Sequence, residues 1–168
     1  MVPLPSLQKA IEKSYQNALH LIKNLRQHTT QNPNDIGEAI KILENIRNDT
    51  YEELNQIQHE LLVIKAAEWL IDNKVVTDDV TWFWNPRQTG GTEPDLVAKF
   101  DGYPVISAEV TTSKDPNGVI DSRMKNVLKK LNEKDGKRFY FIRTESMKKR
   151  AETKVMRNHL DIEVILLK

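Results

Sequence analysis

The stretch from Glu52 to Asn73 constrains this chain more than any other. Wound as a helix, it spreads Leu54, Ile57, Leu61, Leu62, Val63, Ile64, Ala66, Ala67, Trp69, Leu70 and Ile71 around nearly its whole circumference. A helix that is apolar on all sides has to be enclosed by other elements. Its few ionisable residues, Glu60, Lys65 and Glu68, are then conspicuous, because a buried carboxylate requires a partner or a metal.

Beyond Asn73 the periodicity changes from helical to strand-like. Val75-Val76 and Val80 to Trp84 have the β-branched and aromatic composition that strands favour. Further strands are predicted at Leu96 to Phe100, Val105 to Thr111, Lys137 to Arg143 and Ile162 to Leu167. Helices are predicted between them at Val119 to Lys134 and Ser146 to Asn158. Upstream, Ser6 is placed to cap a helix with apolar positions from Leu7 to Leu25, and Pro33 breaks it. Asn34 or Asp35 caps a second, with Ile36, Ile40, Leu43 and Ile46 in register; the polar stretch Arg47 to Glu53 either continues it or interrupts it. The expected organisation is an N-terminal helical hairpin over residues 1–50 and an α/β (α+β) core over 51–168, a mixed central sheet flanked by helices. The hairpin has a narrow apolar seam, which calls for packing on the chain's own core or on a second copy as a homodimer.

Composition removes several function classes. With no cysteine among 168 residues, disulfide scaffolds, zinc ribbons and thiol nucleophiles are excluded. Neither a signal peptide nor an apolar run long enough to span a bilayer is read in the chain, so a soluble, cytoplasmic protein is expected. The net charge of +1 is uninformative, but lysines and arginines crowd the segment from Lys125 to Lys154, enough to present one phosphate-attracting face. His20, His28, His59 and His159 show no metal-ligand spacing, and no Ser/His/Asp arrangement stands out. Gly90-Gly91 lacks the residues of a phosphate loop. Arg87, Gln88 and Thr89 beside it give a weak nucleic-acid signal, and Trp82, Phe83 and Trp84 read as core before base-stacking surface.

Two acids carry the chemistry. Asp95 opens one predicted strand and Glu109 closes the next, with an Asp-Gly-Tyr-Pro turn between the strands. Ser107, Glu109 and Thr111 share a strand face, so the two carboxylates converge if the strands pair with aligned ends. Mg²⁺ or Mn²⁺ held by one or two carboxylates neutralises phosphate charge and activates a water.

Pro94-Asp95, Glu109 at the end of the following strand and Glu60 on the preceding buried helix together resemble the PD-(D/E)xK nuclease superfamily. The resemblance covers roughly Ile57 to Lys168. It implies a restriction-endonuclease-like fold and a Mg²⁺-dependent endonuclease acting on DNA, of restriction or repair type. It further implies Asp95, Glu109 and Glu60 as catalytic and metal-binding acids, with the Val110 carbonyl as an additional ligand. The family's lysine position is Thr111 here. A relocated lysine is expected to replace it: Lys125 on the following helix first, then Lys114, then Lys99. The alternative is a catalytically degenerate module of the same fold that binds nucleic acid or a partner protein.

Overall fold

The computed structural model describes residues 1–77, 79–86 and 92–167. The Ser6 hydroxyl accepts from the Lys9 amide at the start of α1 (Leu7–Thr29). Asp35 caps α2 (Ile36–Asp72) in the same way through the Glu38 amide. α2 runs unbroken for 37 residues, on the order of 55 Å at ~1.5 Å per residue. Arg47 to Glu53 therefore continues the helix, and the second and third predicted helices are one; with neither Gly nor Pro, that polar stretch holds no breaker. The predicted boundary at residue 50 falls inside α2, so hairpin and core share a helix.

The other elements are β1 (Val2–Pro3), β2 (Thr81–Trp84), β3 (Leu96–Phe100), β4 (Tyr103–Val110), α3 (Val119–Asn132), β5 (Lys137–Ile142), α4 (Glu145–Arg157) and β6 (Glu163–Leu166). The strands form a six-stranded mixed sheet ordered as in the chain. From β1 to β4 they are antiparallel, and from β4 to β6 parallel, with α3 and α4 as the crossovers. The class is α+β, as expected. β1 is too short for a periodic signal, and its Pro3 sits on an edge strand, where a missing amide is tolerated. Val75 and Val76 form no strand; partly buried, they pack against the core between α2 and β2.

Strand alternation divides the interior. Leu96, Ala98, Ile106, Ala108, Val110, Phe139 and Phe141 pack with Val63, Ala66, Ala67 and Leu70 of α2. Tyr140, Ile142 and Val164 turn the other way, against Met124 and Leu128 of α3 and Met147 and Ala151 of α4. Trp84 is buried in the α2 layer, the core role expected for it, and Lys99 Nζ lies 5.0 Å from the Phe83 ring centroid. Between α3 and α4, Arg150 donates to Asp121 at 2.6 and 3.0 Å, and Lys154 adds a third contact at 3.0 Å. These hydrogen bonds hold the Asp121 carboxyl well below the usual carboxylate range, that of Arg150 first. No helix among the described residues is long and apolar enough to cross a membrane.

The turn into β5 depends on Gly136. Its φ is +79°, and a Cβ there would lie 2.5 Å from the backbone carbonyl carbon of Val105. Gly136→Ala combines left-handed strain with a clash against an immobile strand. A loss of roughly 2–4 kcal/mol in urea unfolding is expected. An unchanged midpoint would mean that the turn relaxes freely.

Candidate active site

The β3–β4 pairing sets the first two site residues. Leu96 faces Ala108 across the antiparallel ladder, so one step further along Asp95 comes opposite Glu109. Residues opposite each other share a face, and both carboxylates open into one cleft of about 540 Å³. Asp95 is buried and accepts the Val110 amide on Oδ2 at 2.9 Å. Val110 also lines the cleft while its side chain belongs to the core.

Two carboxylates this close cannot both ionise easily. Burial pushes Glu109 up to about 9, reinforced by the charge of Asp95 and by a hydrogen bond to it; Lys130 and Lys134 pull partly the other way. At neutral pH Glu109 is thus held in its protonated form beside Asp95. Tyr140, opposite Glu109 in the parallel ladder, is pushed up as well, chiefly by burial and further by the two acids. A hydrogen bond with Thr111 lowers it in part.

α3 forms the cationic wall. Ile120, Arg123, Met124, Val127 and Lys130 recur at steps of three and four, and all of them line the cleft. The first-choice lysine of the sequence reading, Lys125, does not: it lines a small cavity between α3 and α4 with Lys129 and Lys154. The five residues from Lys125 to Lys130 turn the helix by about 140° at ~100° per residue, enough to exchange one wall for another. Lys114, the second choice, is exposed in a loop whose carbonyl accepts from Thr144 and Ser146. Lys99, the third, lies over Phe83.

Glu60 is buried, as expected, but its carboxylate turns to the hairpin. Ser14 of α1 donates to it at 3.3 Å and Gln56 at 3.5 Å, and it does not line the cleft. Its neighbour His59 points toward Asp95 instead, with Nε2 at 3.1 Å from Oδ1. The approach is off the hydrogen-bond line, so neither ring nitrogen of this 1% exposed side chain has a hydrogen-bond partner among the described residues. In the sequence His59 has no metal-ligand spacing to another histidine. The available signal was its stripe, because His59, Val63, Ala66 and Leu70 recur at i, i+4, i+7 and i+11, the side of α2 that covers the sheet. Glu93 and Asn85 sit at the cleft rim, while Arg87, Gln88 and Thr89 and the Gly90-Gly91 pair lie outside the described residues.

Among the described residues, no three His, Asp or Glu side chains gather closely enough to form a complete metal cage. Mg²⁺ does not need one, since it keeps several waters and takes one or two carboxylates. The chain matches no known protein family, no characterised protein and no solved structure.

Proposed function

We propose that this protein is a divalent-metal-dependent nuclease of the PD-(D/E)xK type, with restriction-endonuclease-like architecture, hydrolysing phosphodiester bonds of DNA. Its chief support is the placement of Asp95 and Glu109, two carboxylates that meet at the ends of adjacent strands in a cleft walled by Arg123 and Lys130. A buried acid pair of this kind is a poor structural element and a good hard-oxygen cradle. Asp95, Glu109 and the Val110 carbonyl would hold Mg²⁺ or Mn²⁺, which supplies charge neutralisation at the phosphate and a more acidic water.

The chain's own residues have separable parts in this scheme. The Val110 amide fixes Asp95, leaving Oδ1 toward His59 and the cleft. Glu109 would release its proton to solvent on holding a cation. Arg123 and Lys130 face the same space, where they attract and orient a phosphate, and Lys130 takes the part of the ammonium missing at Thr111. Asp121 and Glu60 are engaged elsewhere in the fold and stand outside the chemistry.

Calorimetric titration with Mg²⁺ and Mn²⁺ in two buffers of different ionisation enthalpy tests the reading. Uptake of metal with release of close to one proton at pH 7 is expected, and affinity should rise nearly tenfold per pH unit until Glu109 is ionised, near pH 9. Asp95→Ala should abolish both uptake and plasmid cleavage. Absence of metal uptake by the unaltered protein would sink the proposal.

One observation favours the second reading, a non-catalytic module of the same fold. Thr111 is tied to Tyr140, and its hydroxyl also accepts the Ser113 amide at 3.3 Å, so the family's lysine position holds a neutral, already bonded group. DNA binding with a steep salt dependence and no cleavage in either metal would select it.

A further inference from the structure

Four polar side chains, Gln56, Gln58, His59 and Glu60, stand within about one turn of α2. Gln56 donates to Glu60 at 3.5 Å, Gln58 accepts from Arg143 at 3.5 Å, and Glu60 accepts from Ser14 at 3.3 Å. His59 sits between Gln58 and Glu60 and is 1% exposed, yet neither ring nitrogen has a hydrogen-bond partner among the described residues. An enclosed ring in that state weakens a fold, because water would otherwise satisfy both nitrogens. Packing does not account for it: leucine would fill the same place on the stripe of Val63, Ala66 and Leu70 with no polar atom to satisfy. Local rules are broken in this way at functional sites.

What the ring does reach is Asp95, with Nε2 at 3.1 Å from Oδ1. That is a hydrogen-bond distance, and only the angle is missing. An aspartate carboxylate turns about a broad, soft torsion, so a small rotation brings Oδ1 into line with Nε2. The other oxygen, Oδ2, already accepts the Val110 amide at 2.9 Å. With each oxygen tethered, the carboxylate is held in one orientation at the cleft, opposite Glu109.

We propose that His59 is a positioning residue for Asp95: with its proton on Nε2 it donates to Oδ1 and fixes the carboxylate in the orientation that holds a divalent cation beside Glu109. The inference deepens the nuclease reading and rests on it. His59 does not line the cleft, which places the ring behind the carboxylate and away from the phosphate. Partners that orient a ligating carboxylate from behind contribute on the order of 10–100-fold in metal affinity or turnover.

Substitutions in the full chain test it. His59→Leu fills the space without a donor, the amide of His59→Gln reaches about as far as Nε2, and that of His59→Asn stops near Nδ1. In metal-free urea unfolding His59→Leu should be at least as stable as the unaltered protein. In calorimetry it should bind Mg²⁺ ~10–100-fold more weakly, and kcat on plasmid DNA should fall by a similar factor with KM within about twofold. His59→Gln should recover most of both, and His59→Asn neither. Unchanged Mg²⁺ affinity in His59→Leu would overturn the positioning role and leave the nuclease reading standing, whereas an unaltered protein that takes up no metal removes both. If His59→Leu does not fold, the Gln and Asn variants decide, and equal Mg²⁺ affinity in the two overturns the proposal. Stability and metal uptake that fall together across the variants would make the ring a packing residue and overturn it as well. The loss should be of the same order for Mg²⁺ and Ni²⁺; a loss confined to Ni²⁺, which imidazole suits better, would make the ring a ligand instead.

Discussion

Glu109→Gln is expected to abolish DNA cleavage and, in the same molecule, to stabilise the metal-free fold at pH 8. In the proposed mechanism the variant loses one of the two carboxylates that would hold the metal, and a fall of at least ~10³-fold in cleavage rate is expected. The stabilisation follows from linkage. Glu109 has an ordinary value of 4.5 and is raised to about 9 in the folded chain, first by burial and then by Asp95. Between those values the folded state keeps a proton that the unfolded state releases. Stability from this group is therefore fully present below about pH 4.5, declines as pH rises, and is lost by about pH 9, at up to ~1.4 kcal/mol per pH unit. Glutamine has no proton to lose and nearly the same shape. Unfolding in urea at pH 8 should show a gain of a few kcal/mol, and at pH 4 almost none. A variant that gains nothing at pH 8 would show that the fold does not hold Glu109 protonated.

Lys130→Ala should reduce cleavage about a hundredfold, while Lys125→Ala stays within about twofold of the unaltered protein. A positioned proton-transferring or charge-stabilising side chain contributes of this order, and a solvated lysine contributes little. Lys130 lines the cleft and its charge acts on Glu109, whereas Lys125 belongs to the cavity between α3 and α4. Metal uptake should survive in both variants, which separates a role in turnover from one in building the site. Lys130→Arg should restore part of the rate by keeping the charge. The reverse ranking, with Lys125 essential and Lys130 dispensable, would reinstate the relocated lysine of the sequence reading and exclude the cationic wall described here.

Much of the layout was legible in the residues. The cap at Ser6, the strand at Leu96–Phe100 and the helix following Gly118 come from local rules, because capping, alternation and 3.6-residue periodicity act over a few positions. The junction between the second and third predicted helices was not settled by such rules. A polar stretch such as Arg47 to Glu53 neither demands a helix nor forbids one, and α2 is carried through it by the helix pairing with α1.

The site divides along the same line. That Asp95 and Glu109 could meet was written in the sequence, since an acid at either end of a hairpin returns to its partner when the strands pair. Which third groups join them was decided only by packing. His59 and Glu60 are neighbours in the chain and about 100° apart on the helix, so the register of α2 on the sheet aims the histidine at Asp95 and the glutamate at Ser14. Lys125 and Lys130 are divided likewise by the rotation of α3. Sequence by itself determined most of the elements, the acid pair and the apolar stripes of the hairpin, because these depend on spacing along one chain. Tertiary structure alone decided which ionisable groups face the cleft, because a helix's rotation about its own axis is fixed by the layer it packs against.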